Sequence, residues 1–309
     1  MLVFVLRRLL ALVPVGLGVV AVVSLLIHVV PGDPADAILG AYATDTEKAE
    51  LRHTMGLDEP FAVQLLSYYG HVARGDLGQS LVSRKPVTAL IAERVRPTME
   101  LAAAAMCVAL LVSLPLGLIS ALRAGRPLDY AAMGFALTGI AIPNFWLGPM
   151  LVLLFSLKLG WLPVSERGPS LSYYVLPACS MGFALAAILS RMTRNAMLDN
   201  LREDYVRTAR AKGMPEAIVV LKHVLRNAAL PLVTVVGLQF GVLLTGAIIT
   251  ERVFDWPGLG SLILDGINNR DYPLVQGCVL CFSITYLVVN LLTDLTYAVI
   301  DPRIKARHG

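Results

Sequence analysis

Apolar runs long enough to cross a bilayer recur along this chain, and they constrain its fold more than any motif does. A spanning helix needs about 17–25 predominantly apolar residues. Six runs reach that length, at 9–30, 99–122, 130–157, 173–189, 228–250 and 274–300. Lipid offers no hydrogen-bond partners, so a spanning segment must satisfy its own backbone, as a helix does. Charged residues make up 16% of the 309, against about 25% in a soluble domain. The expectation is an all-α polytopic membrane protein with six transmembrane helices. It divides into an N-terminal helix at 1–30, an external helical segment at 31–98 and a five-helix core at 99–309.

Arg7 and Arg8 before the first run are also what a secretory signal carries. The run is longer than the usual core of about 7–15 residues, which favours a retained first helix. Orientation follows from Lys and Arg in short loops. Fifteen lie at the start, between spans two and three, between spans four and five, and after span six. The loops 158–172 and 251–273 hold four: Lys158, Arg167, Arg252 and Arg270. Both termini are therefore expected inside. This bias accounts for the net charge of +4 without a nucleic-acid partner.

Cys107, Cys179, Cys278 and Cys281 all fall inside predicted spans. The Cys278/Cys281 spacing suits a redox pair in a soluble protein; in an apolar helix it reads as small packing residues. The spans hold almost no ionisable residue in their central thirds, where such groups mark ion or proton pathways. That argues against ion-coupled transport and against intramembrane proteolysis. HExxH, GxSxG and GxxxxGK[ST] patterns are absent from the sequence, so it carries no P-loop.

The segment 31–98 opens with Pro31-Gly32-Asp33-Pro34, which cannot continue a helix. A short helix is predicted over 46–55, capped by Thr46. A second is predicted over 61–72, from the spacing of Phe61, Leu65, Tyr68 and Val72. A partner-binding cap and an ordered linker fit this pattern equally. Pro14, Pro115, Pro143, Pro149, Pro177 and Pro231 lie within spans and permit kinks. Gly237, Gly241 and Gly246 allow close helix approach.

The loop between spans four and five, 196–231, is the segment that carries most about function. Helix connections usually run to about 2–8 residues; this one is far longer, basic and helix-forming. Asn200 can cap a helix, with Glu203 three residues on. Leu201, Tyr205, Ala209 and Lys212 share one stripe. Gly213 suits a left-handed C-terminal position and Pro215 the first turn of a second helix. Ala209, Ala211 and Gly213 would let a partner backbone approach. A basic helix resting on anionic lipid is the plainer reading of the same pattern.

The stretch Asp204-Tyr205-Val206-Arg207-Thr208-Ala209-Arg210-Ala211-Lys212-Gly213, with His223-Val224-Leu225-Arg226-Asn227-Ala228-Ala229-Leu230-Pro231 after it, resembles the EAA loop of ATP-binding-cassette (ABC) importer permeases. The version is that of the dipeptide/oligopeptide group, which also includes nickel permeases. Arg207 and Thr208 stand where the general pattern has Glu and Ala. The resemblance extends over the whole chain, through Arg7-Arg8-Leu9-Leu10, Pro31-Gly32-Asp33-Pro34, Ile142-Pro143-Asn144-Phe145-Trp146, the stretch 250–260 and Arg270-Asp271-Tyr272-Pro273-Leu274-Val275.

That resemblance implies a type I importer transmembrane domain and a non-catalytic subunit in a bacterial cytoplasmic (inner) membrane. It implies a second homologous permease in a heterodimer, two ABC ATPase subunits and an extracytoplasmic substrate-binding protein. ATP and Mg would belong to the ATPases, with no cofactor or metal in this chain. Tyr205, Arg207, Thr208, Ala209, Arg210, Ala211, Lys212 and Gly213 are the expected ATPase-coupling residues. Glu251, Phe254, Trp256 and Leu259 are expected at a binding-protein contact or an outer gate, or in an interfacial aromatic belt. Asn144, Gln239, Thr245 and Asn290 are polar positions within spans; lining the path and bonding between helices fit them equally. Di- and oligopeptides lead as cargo, with nickel chelates, glutathione and haem as alternatives. An ion-gradient secondary transporter and a non-transporting scaffold are the rival classes.

Overall fold

A computed structural model of the protein describes residues 2–29, 39, 43–54, 58–164 and 166–300. The expected break at Pro31–Pro34 and the basic residues Arg303, Lys305 and Arg307 lie outside them. Among the described residues the regular elements are helical, apart from an isolated bridge between Gln79 and Pro86. They are α1 Leu2–Val29, α2 Asp45–Thr54, α3 Phe61–Ala73, α4 Val87–Leu122, α5 Pro127–Ala141, α6 Asn144–Leu151, α7 Ser172–Leu201, α8 Asp204–Ala211, α9 Glu216–Ile218, α10 Leu225–Val253, α11 Leu259–Asn268 and α12 Tyr272–Ile300. Wider π-helical stretches follow α6 (Val152–Lys158) and α9 (Val219–Val224).

Three of these helices are long and apolar enough to cross a membrane: Val87–Leu122, Ser172–Leu201 and Tyr272–Thr293. The number rises to five if each of two bent pairs is one span, and α1 contributes a shorter apolar stretch, Val13–Leu25. The predicted span 130–157 is the clearest departure. It is broken at Ile142-Pro143, where Pro127–Ala141 and Asn144–Lys158 meet at 103°. Pro143 lacks an N–H and disfavours helical geometry at the residue before it, and Ile142 is accordingly extended, with ψ 120°. The second bent pair, Glu216–Ala229 and Pro231–Leu244, turns by 51°.

Two further boundaries differ from expectation. The helix expected from residue 99 already begins at Val87. The first short external helix is capped by Thr44 rather than Thr46. Thr44 Oγ1 accepts from Glu47 N at 3.4 Å and Glu47 Oε2 accepts from Thr44 N at 2.8 Å, a reciprocal capping box. The Thr44 N–H and then its hydroxyl, both donating to Glu47 Oε2, favour the charged form and hold the Glu47 carboxyl below its usual pKa.

The chain forms two compact units. One comprises residues 2–98 and 257–288. In it Tyr69 donates its hydroxyl to Leu17 O at 2.7 Å and Gln276 Nε2 donates to Val23 O at 3.3 Å, tying α3 and α12 to α1. Asp271, 1% exposed, organises the entry to α12. It accepts from Ser80 Oγ, Leu81 N, Val82 N and Leu274 N, so it caps the helix and holds the 80–82 turn at once. A Cβ at Gly277 would lie 2.5 Å from Val87 Cγ1, so only glycine permits this approach of α12 to α4.

The other unit comprises residues 99–256 and those from 289 on. Its core packs Leu101, Ala105 and Ala109 of α4 against Met181, Leu185 and Leu189 of α7 and Leu243, Leu244 and Ala247 of α10. Small residues set the spacing: a Cβ on Gly182 would sit 2.6 Å from Ala105 O. A Cβ on Gly237 would overlap the Thr293 side chain, so α10 and α12 approach closely there. Many helices leave large apolar side chains exposed, among them Leu111, Tyr130, Leu137, Phe145 and Leu157. A lipid-facing surface has that character, since lipid imposes no penalty on apolar groups.

Candidate functional site

The loop 202–224 folds as a short helix, a tight turn and a return into α10. α8 begins after Glu203, whose backbone is extended and which occupies the N-cap position without a side-chain cap bond. Asn200 therefore does not cap it, contrary to expectation. It belongs to the last turn of α7, where Nδ2 donates to Ala196 O at 2.9 Å and Oδ1 accepts from Tyr205 Oη at 3.0 Å. The bond from Tyr205 ties the start of α8 to α7.

α8 ends as its sequence predicts. Gly213 takes a left-handed φ of 74°. Gly213 N donates to Arg210 O at 2.9 Å and Met214 N to Ala209 O at 3.3 Å. This pair of bonds is the Schellman arrangement, and only the absence of a Cβ makes it free of strain. Pro215 then caps α9. Across the turn, Arg210 forks onto Glu216: Nε donates to Oε2 at 3.0 Å and Nη2 to Oε1 at 2.6 Å. The guanidinium holds the Glu216 carboxyl below its usual pKa, and Glu216 raises that of Arg210.

The helix has two unlike faces. Val206 is fully buried and Ala209 nearly so, packed with Met197, Ala121, Val219, Val220, Val224 and Ala228. Tyr205 and Met214 pack against the same cluster. Arg207, Thr208, Arg210, Ala211, Lys212 and Gly213 are exposed. Thr208 turns its hydroxyl back to Asp204 O at 2.9 Å, and Arg207 lies 3.5 Å from Asp204. So of the eight expected coupling residues, Tyr205 and Ala209 fasten the helix and the other six present a basic surface. The expected stripe of Leu201, Tyr205, Ala209 and Lys212 faces the cluster except at Lys212.

Close to this element lies a contact that no motif in the sequence signals. Arg194 of α7 grips Asp129 in the first turn of α5, with Nε to Oδ1 at 2.7 Å and Nη2 to Oδ2 at 2.8 Å. Arg194 counts toward the charge bias in the sequence, but nothing there pairs it with a residue 65 positions away.

The outer-loop residues lie elsewhere than expected. Glu251, Phe254, Trp256 and Leu259 are 0%, 1%, 1% and 3% exposed, so this conformation offers none of them to a partner or an interfacial belt. Phe254 packs over Gly148, where a Cβ would meet its ring at 3.2 Å. Trp256 stacks edge-on with Tyr174 at 4.8 Å and joins the α4–α7–α10 core. Tyr174 in turn donates to Glu100 Oε2 at 2.8 Å, which also accepts from Arg167 Nη2 at 2.7 Å. That bond to Glu100 raises the pKa of Arg167. Leu259, in the other unit, opens α11, and its N–H donates to Thr98 Oγ1 at 2.8 Å.

Of the polar span positions, Asn144, Gln239 and Asn290 are each half-buried and sit on α6, α10 and α12. Asn144 O accepts from Ser180 Oγ at 3.4 Å. The surroundings of Thr245 and Gly246 lie outside the described residues. No three His, Cys, Asp or Glu side chains among the described residues converge as metal ligands would.

Residues 113–306 match the family described as binding-protein-dependent transport system inner membrane component, and residues 1–102 match its N-terminal companion. The chain belongs to this family. It is a multi-pass inner-membrane permease subunit of an ABC importer. The glutathione transport system permease protein GsiC of Salmonella choleraesuis (strain SC-B67) is 47% identical over 305 residues, 99% of each chain. The protein of that name from Escherichia coli (strain K12) is 45% identical over 306 residues, again 99% of each. Among solved structures, an inward-facing MetNI methionine ABC transporter chain matches 69% of this chain and 96% of its own, with TM-score 0.58 and 17% identity. A chain of an amino acid ABC transporter crystallised with histidines matches 68% and 94%, with TM-score 0.51 and 15% identity. These two likenesses are of fold.

Proposed function

We propose that this permease forms half of a translocation path for short peptides of the glutathione kind, driven from the cytoplasm by ATPases docked on α8. A second homologous permease completes the path, two ATPase subunits carry ATP and Mg, and a binding protein delivers cargo from outside. Six spans with both termini inside would place 202–224 on the cytoplasmic side, in keeping with its basic charge. The glutathione preference rests on relatives of that name matching 99% of the chain at 45–47% identity; glutathione is itself a tripeptide.

One observation carries the coupling role. α8 is fastened to the protein by one face and bare on the other. Gly213 ends the helix, but the exposed ridge of Arg207, Ala211 and Lys212 takes no part in the cluster that fastens α8, which leaves it to a partner. Fastening lets a push on the bare face move α7 and α10 together, which is what a two-state rocking mechanism needs.

The test uses the assembled complex in proteoliposomes, with ATP inside and no ion gradient. Wild type should accumulate labelled glutathione ahead of labelled dipeptides and nickel chelates. Ala211→Trp adds bulk on an exposed helix position, where substitutions change stability by about 0.5 kcal/mol or less. It should assemble and lose substrate-stimulated ATP hydrolysis. Wild-type hydrolysis and uptake in that variant would rule out docking at α8. Uptake that needs an ion gradient would make the chain a secondary transporter.

A further inference from the structure

Asp129 is 3% exposed and its carboxylate is held four ways. Arg194 supplies two bonds, Gly125 N donates to Oδ2 at 2.9 Å, and the Ser120 hydroxyl donates to Oδ1. One side chain thus joins the end of α4, the α4–α5 turn, α5 and α7. A forked arginine–carboxylate contact fixes direction as well as distance.

Its position relative to α8 gives this contact meaning. Met197, one turn beyond Arg194 on α7, is fully buried in the cluster under α8, and Ala121, next to Ser120, is in that cluster too. Farther along, Gly139 of α5 meets Ala187 of α7 so closely that a Cβ would lie 2.8 Å away. α5 is therefore pinned to α7 at two heights and then passes into the 103° bend that leads to α6. A buried ion pair seldom adds net stability over apolar residues of the same size. What it adds is a fixed geometry.

We propose that the Asp129–Arg194 pair is a positioning element for energy coupling. It makes α5 follow α7 when α8 is displaced, so that movement reaches α6 without loss. The proposal rests on the docking role of α8 argued above.

The decisive quantity is substrate imported per ATP hydrolysed, measured on the reconstituted complex. Arg194→Lys keeps the charge and loses the fork. It should assemble and hydrolyse ATP at the wild-type basal rate, while import per ATP falls about threefold or more, the scale on which single residues modulate coupling. Asp129→Asn should act in the same direction and further. An unchanged ratio in Arg194→Lys overturns the proposal, as does a parallel loss of assembly and hydrolysis that leaves the ratio intact. If neither variant assembles, Ser120→Ala decides, since it removes one of the four donors: a lower ratio supports the tie and a wild-type ratio sinks it. A wild-type complex with no ATP-driven uptake would instead defeat the functional reading, and the tie with it.

Discussion

Two stretches of this chain carry family motifs, 204–213 and 250–260, and the protein uses them in opposite ways. The first exposes seven of its ten residues and buries only what fastens it. The second buries Glu251, Phe254 and Trp256 in one unit and Leu259 in the other. Both look like polar loops holding a few apolar residues. The difference teaches that a motif in a loop has two possible addressees, a partner or the chain's own core. Burial decides between them.

The sharpest way to break this contrast is Trp256→Ala. If the tryptophan is core, truncation should cost about 3–5 kcal/mol, seen as loss of monodisperse complex in detergent or a large drop in melting temperature. A variant with wild-type melting and weakened binding-protein affinity would restore the surface reading. Asp271→Ala asks the same of a motif residue in the other unit. It leaves the Ser80 hydroxyl, the Leu81 and Val82 amides and the first turn of α12 without their acceptor, and each buried unsatisfied group costs about 1–3 kcal/mol. Proteolysis near residue 80 should rise in step with the fall in stability. Unchanged protection there would show the carboxylate to be dispensable for the fold.

How much of this was legible follows the range of the interaction. The Gly213-Met214-Pro215 turn was readable because its cause is local: a left-handed position that glycine fills, then a proline to start again. The long apolar helices were readable because each satisfies its own backbone. Pro143 permitted a kink in a single span, but a break of 103° depends on what α5 and α6 pack against. Asn200 had the composition of a cap, yet the end of α7 claimed it. Phe254 packs over Gly148, more than a hundred residues away, and the Asp129–Arg194 pair spans two helices. A single sequence holds the members of such pairs without saying that they meet.

The smallest effect belongs to the Arg210–Glu216 fork, and it probes the exposed side of the contrast. Both side chains are about half exposed, so water screens the pair and its worth is about 0.2–1 kcal/mol. The Glu216 pKa lies below its ordinary value because Arg210 favours the charged form. The sign follows: the contribution is complete above the unfolded carboxylate value of about 4.3 and disappears as pH falls through the lower folded value. Arg210 stays charged throughout, so nothing is lost on the alkaline side. At neutral pH, Glu216→Gln should raise hydrogen exchange of the α8 amides about twofold, since the clip holds the turn only by this modest margin. High salt should shrink the difference between variant and wild type. A change well beyond tenfold would mean that α8 depends on the clip more than on its buried face. Val206 and Ala209 would then not be the fastening that the push on α8 requires.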